Sequence, residues 1–220
     1  MDNKDEPRPN DTPGDYPALN VSPKTGEEPF LQNGQPLPIR LLDFWRWSAS
    51  DLASNALRGR LAEYIVAQVL GIRATVRVEW DAYDLLTSRG IRVEVKSAAY
   101  LQSWYHKKLS AIKFSIRPTL GWNAGLNAYE TELKRQADVY VFCLLAHRDK
   151  ATLDPLNLDQ WVFYVLATPV LSKACGSQKT ITLTRLQQLG ALRVPLEELA
   201  AVLDRIAFTQ NEPGSAHSAE

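Results

Sequence analysis

The spacing of apolar positions changes along this chain, and each change marks an element. Leu57, Leu61, Tyr64, Ile65, Val69 and Leu70 recur at intervals of three and four, which predicts a helix from about Asp51. Ser48 and Ser50 are candidate caps, and Gly71 supplies the stop. The period then falls to two. Val76-Arg77-Val78-Glu79-Trp80 predicts a strand, and Tyr83-Asp84-Leu85-Leu86 continues it or begins another. Ser88-Arg89-Gly90 reads as a hairpin turn into Ile91-Arg92-Val93-Glu94-Val95-Lys96. There the alternation is strict, with Ile91, Val93 and Val95 on one face and Arg92, Glu94 and Lys96 on the other. A turn or helix is expected over 98–108, strands over 111–116, 139–145, 161–166 and 180–183, and a last helix over 195–207. Helix, mixed sheet and further helix in one chain predict an α/β or α+β domain, a mixed central β-sheet flanked by helices.

Both ends lack this periodicity. Residues 1–38 hold 8 of the 13 prolines, with seven acidic and three basic side chains, and 209–220 add two acids. Both read as disordered, leaving 39–208 as a single folded domain. The net charge of zero therefore conceals 22 basic and 16 acidic residues in the folded segment, a surplus that permits a polyanionic partner. No apolar run reaches the roughly 18 residues that span a bilayer, and Met1-Asp2-Asn3-Lys4-Asp5-Glu6 does not open a secretory signal. Two cysteines make neither a disulfide framework nor a zinc cluster, and Cys143 sits in an apolar run as a buried hydrophobe. A cytoplasmic protein with no membrane partner is the expectation.

Glu94 and Lys96 are the chemistry to explain. The pattern acid-any-Lys occurs three times, at Asp2/Lys4, Glu94/Lys96 and Glu132/Lys134, but only the second lies in an alternating strand. Only it has an upstream aspartate in apolar surroundings, Asp84 between Tyr83 and Leu85-Leu86, which hairpin pairing can bring level with Glu94 or close to it. Two neighbouring carboxylates repel unless a positive charge separates them. Mg²⁺ takes one or two carboxylates together with phosphate oxygens and water, and Mn²⁺ can substitute for it. A lysine two residues along the same face can stabilise charge developing on a phosphate and help orient or deprotonate the attacking water. The competing account is an exposed sheet face on which Arg92, Glu94 and Lys96 form a salt-bridge network.

Asp84, nine intervening residues and Glu94-Val95-Lys96 resemble the PD-(D/E)XK nuclease superfamily, the restriction-endonuclease-like fold, over roughly residues 52–145. That resemblance implies metal binding by Asp84, Glu94 and the backbone carbonyl of Val95, with Lys96 catalytic. It also assigns Glu63, in the helical run from Leu57 to Ala67, to the family's helix glutamate, acting directly or through a water. Taken alone a helix glutamate is usually solvated, though small Gly59 and Ala67 nearby allow close packing. Tyr83 precedes Asp84 where the family name has proline.

From Val95 to Tyr129 there is no Asp or Glu. The stretch carries Lys107, Lys108, Lys113 and Arg117 among Tyr100, Trp104, Tyr105, Phe114, Trp122 and Tyr129, and suits a surface that follows a phosphate backbone. The alternative is core aromatics with solubilising lysines. Gln102 and Ser103 are candidate phosphate donors. His106, His147 and His217 have no ligand spacing, no phosphate-binding glycine loop is present, and Asp138 reads as a cap or turn residue. The combined expectation is a Mg²⁺-dependent DNA endonuclease, for which double-strand cutting would suit a homodimer. Its rivals are a non-catalytic nucleic-acid-binding module of the same fold and a protein unrelated to nucleic acid.

Overall fold

The computed structural model describes residues 19–72, 76–77, 81–123 and 128–211. Strands β1 (Pro29–Gln32) and β2 (Gln35–Arg40) form an antiparallel hairpin inside the stretch expected to lack structure up to residue 38. Its turn is Asn33-Gly34, with φ of 52° and 74°, the mirror-image turn whose twist matches paired strands. Helix α1 (Leu41–Ala49) follows at once, and the Asp43 carboxylate accepts the Arg40 N–H at 2.9 Å to cap it. No residue of α1 is buried.

Helix α2 (Asn55–Val69) begins four residues later than about Asp51, because Ser54 N–H closes a turn onto the Asp51 carbonyl. Strand β3 (Leu85–Leu86) pairs antiparallel with β4 (Arg92–Ala99). Of the strand expected over 76–80, residues 78–80 lie outside the described residues. No helix forms over 98–108; irregular backbone leads instead to β5 (Lys113–Ser115). A two-stranded ribbon follows, β6 (Thr119–Asn123) against β7 (Ala128–Lys134). Next come β8 (Val139–Leu145), β9 (Trp161–Ala167), α3 (Thr168–Cys175), β10 (Thr180–Thr182), α4 (Leu183–Gln188), β11 (Leu192–Val194) and α5 (Leu199–Asn211). Helix α5 runs past the expected end at 207, and Pro213 is the first strong breaker after it.

The central sheet has the order β11-β9-β8-β4-β3, parallel between β4 and β8 and antiparallel elsewhere. Every residue of β8 is buried, which is why it reads as an unbroken apolar run. Val139, Val141, Cys143 and Leu145 point to one face, against Ala62, Ile65 and Val66 of α2 and Leu199, Val202 and Leu203 of α5. Tyr140, Phe142 and Leu144 point to the other, against Phe114, Leu171, Ile181 and Leu186. Helices thus cover both faces of a mixed sheet, the α+β arrangement expected. Strand β4 sends Val93 and Val95 into the first core. Glu94 and Lys96 therefore take the second face, level with Tyr140 and Phe142 of β8. No helix among the described residues is long and apolar enough to cross a membrane.

Candidate active site

The β3–β4 register determines the site. Leu85 pairs with Val93 and Leu86 with Arg92, so one step outward the same register sets Asp84 opposite Glu94. The turn that fixes it is Thr87–Gly90, closed by the Gly90 N–H on the Thr87 carbonyl, with Gly90 at a φ of 78°. Asp84 is held by a 2.7 Å hydrogen bond from the Val95 N–H to its Oδ2. Lys96 Nζ forms an ion pair with Glu94 Oε1 and lies 3.9 Å from Asp84 Oδ2. Only about a fifth of each of these carboxylate side chains is exposed, 17% for Asp84 and 18% for Glu94.

Burial of this kind has electrostatic consequences. Loss of water and the adjacent Glu94 carboxylate push Asp84 up to about 7, against the partial relief given by Lys96. Burial alone would lower the Lys96 ammonium, but Glu94 and Asp84 outweigh it and the pKa is raised. Lys96 is therefore a fixed cation between two carboxylates. Cys143, enclosed in the core beneath, has its thiol pushed up by burial and is no nucleophile.

Glu63 projects from α2 with its side chain 14% exposed, and its carboxylate pairs with Arg77. It lies near enough to Asp84 to raise the cost of ionising it. Among the described residues, no three His, Cys, Asp or Glu side chains converge as a ready-made metal cage. Asp84 and Glu94 form the pair, while Glu63 is engaged by Arg77. The Val95 backbone N–H serves Asp84, and its side chain is core.

Two clefts meet at Asp84. A groove of about 1090 Å³ runs from it past Glu63, Arg60 and Arg77 along α2. A smaller cleft of about 230 Å³ is lined by Asp84, Glu94, Asp81, Tyr83, Trp122 and Tyr129, with the β6–β7 ribbon as its far wall. Arg77, Asp81 and the ribbon's part in the cleft were not foreseen: partners brought together by tertiary packing leave no local pattern.

The basic residues divide. Lys107, Lys108, Lys113 and Arg117 are all exposed, on the loop and short strand that follow β4, outside the carboxylate cluster. Ser103 is exposed as well. Gln102 corrects the expectation of a phosphate donor. It is 8% exposed, donates to the Ala99 carbonyl at 3.2 Å and Ser110 Oγ at 3.1 Å, and accepts from buried Arg58. A guanidinium this deep requires acceptors, and Gln102 serves inward for that reason. Asp138, expected to be a cap or turn residue, sits at a bend before β8 and braces the neighbouring strand: it accepts from the Arg92 backbone N–H at 2.9 Å and from the Arg92 guanidinium.

No curated protein and no solved structure matches the chain. A family model described as Bacteriophage T4 endonuclease IV matches residues 42–185, a span that takes in α2, the paired carboxylates, Lys96 and the ribbon. That span is well over half of the 220 residues, and the chain belongs to the bacteriophage T4 endonuclease IV family.

Proposed function

We propose that the protein is a metal-dependent DNA endonuclease of the PD-(D/E)XK type that hydrolyses phosphodiester bonds at Asp84, Glu94 and Lys96. The observation that carries this is the forced meeting of Asp84 with Glu94 under Lys96, a costly arrangement for a fold to keep without use. Membership of an endonuclease family supports it.

The donor set fits one hard divalent cation: two sheltered carboxylates leave room for the water and phosphate oxygens that Mg²⁺ prefers. Asp84 and Glu94 would hold it, the Val95 carbonyl and Glu63 would support it, and Mn²⁺ would serve in its place. When bound, the ion supplies charge that polarises the scissile phosphate. Lys96, kept protonated by its neighbours, would face the phosphate if Glu94 turned to the ion. There it stabilises the negative charge that develops on the phosphoryl oxygens and orients the attacking water. Arg60 and Arg77 line the larger groove leading to Asp84, which suits the path of a polyanionic strand.

The test is incubation of supercoiled plasmid and of oligonucleotides with the protein in Mg²⁺, in Mn²⁺ and in EDTA. Cleavage in either metal, its loss in EDTA and its loss in Glu94→Gln are the expected results. Cutting that persists in EDTA overturns the metal assignment. DNA binding without cutting under every condition supports the non-catalytic module instead.

A further inference from the structure

The smaller cleft has two unlike halves. One half is the carboxylate pair Asp84 and Glu94, with Asp81 at its edge. The other is uncharged and largely aromatic: Tyr83 and Ala82 on one side, Thr119, Leu120, Trp122 and Tyr129 on the ribbon. No basic side chain is among the residues lining it. A phosphate therefore has a place only at the carboxylate end, with a cation, and the remainder of the cleft offers an anion no countercharge. What fits that remainder is a neutral, flat, polarisable group joined to the phosphate by a short linker.

Trp122 and Tyr129 face each other across the ribbon, their ring centroids 4.9 Å apart and the rings tilted by 67°. The edge-to-face contact uses one ring's edge and leaves ring surface open, and Tyr129 remains 60% exposed. An exposed tyrosine on a ribbon that stands off the central sheet is not required by either core. The ribbon is nevertheless held in place. Gln136 is buried and donates from Nε2 to the Thr119 carbonyl at 3.1 Å. Gly121 lets this amide press against the strand, since a Cβ there would stand 3.0 Å from Gln136 Nε2 and from Glu130 Cδ.

We infer that the cleft between Tyr83, Trp122 and Tyr129 is a nucleobase subsite: it takes one unstacked base of the nucleotide next to the scissile phosphate, stacked on Tyr129. The inference rests on the nuclease reading above and adds what the enzyme holds besides the phosphate. The base comes either from a single strand or from a duplex that gives it up, and both offer the same π-face.

The experiment is a scan of oligonucleotides carrying one abasic site at successive positions around the cut, as single strands and as duplexes. Binding is measured in Ca²⁺ and cleavage in Mg²⁺, with wild type, Tyr129→Phe and Tyr129→Leu. A loss of about 5- to 150-fold in affinity at one fixed position relative to the cut is expected for wild type and Tyr129→Phe. Tyr129→Leu, which keeps an apolar residue on the ribbon, should bind intact and abasic strands alike. A 2-aminopurine at that position should be quenched by wild type and much less by Tyr129→Leu. Cleavage with no position dependence, or a dependence that Tyr129→Leu retains, overturns the subsite and leaves the nuclease standing. Position-dependent binding and quenching with no cleavage in any metal overturns the nuclease and keeps the base pocket. No binding to any oligonucleotide overturns both.

Discussion

Asp84 and Glu94 face each other across the β3–β4 register, although the Glu94 carboxylate makes the Asp84 charge harder to hold. The backbone enforces the pairing: the turn at Thr87–Gly90 fixes the register, and the Val95 N–H fixes the Asp84 side chain.

The first consequence is a pH dependence of stability in metal-free protein. An unfolded aspartate ionises near 4, whereas Asp84 is raised to about 7, chiefly by burial and then by Glu94. Between those values the native state binds the proton more tightly than the unfolded state, so stability falls as pH rises and is constant above the folded pKa. The penalty reaches up to about 4 kcal/mol. Asp84→Asn keeps an acceptor for Val95 and removes the charge. Denaturation in EDTA at pH 5 and pH 8 should give the variant a markedly smaller loss than wild type.

Metal should reverse that penalty. Millimolar Mn²⁺, binding the native state alone, should raise the melting temperature of wild type. Glu94→Gln should melt higher than wild type in EDTA by about 2–4 °C, for roughly 1 kcal/mol of relieved repulsion, yet respond much less to Mn²⁺. Identical responses of the two proteins would mean that the carboxylates do not share an ion.

Lys96→Ala separates chemistry from binding. One charge beside the phosphate is a small share of total affinity, so DNA binding in Ca²⁺ should stay within about ten-fold while cleavage is lost. Turnover retained in this variant would remove Lys96 from the mechanism.

Lys107 and Lys108 test the surface beyond β4. Both are exposed. Replacing the two with alanine should flatten the slope of log affinity against log salt by up to about two units. An unchanged slope would place the nucleic acid on another face.

Gly121→Ala asks whether the ribbon's position matters. The added methyl meets the buried Gln136 amide and the Glu130 carboxylate at 3.0 Å, so these side chains or the ribbon they hold must give by a few tenths of an ångström. A destabilisation of about 1–3 kcal/mol is expected. Cleavage should fall further than thermal stability explains, as judged by activity well below the melting temperature.

The central strands and the carboxylate pair were legible because burial on defined faces imposes a pattern on sequence. Strand β4 alternates since one face is core, and β8 is unbroken since both are. Asp84 was readable from the distance around a glycine turn. The ribbon was not: its strands pack mainly on each other, and nothing forces Thr119-Leu120-Gly121-Trp122 to alternate. The β1–β2 hairpin did carry a signal, Asn33-Gly34, hidden within a proline-rich and acidic composition. Gln102 failed for another reason. Residue type states what a side chain can donate, and only the fold states that buried Arg58 takes its oxygen.

The parallel pairing of β4 with β8 also sets the order in which the enzyme is made. Those strands are separated by about forty residues of chain, and β3–β4 alone is a hairpin with two paired positions. A nascent chain that has emerged only through Lys96 holds Glu63, Asp84, Glu94 and Lys96 and the turn that pairs them, but lacks the β8 strand against which their face is enclosed. Closing so long a loop is slow relative to local hairpin formation. The carboxylate site is thus enclosed late, when β8 docks, and a truncated product ending before Val139 is expected to lack the proposed activity.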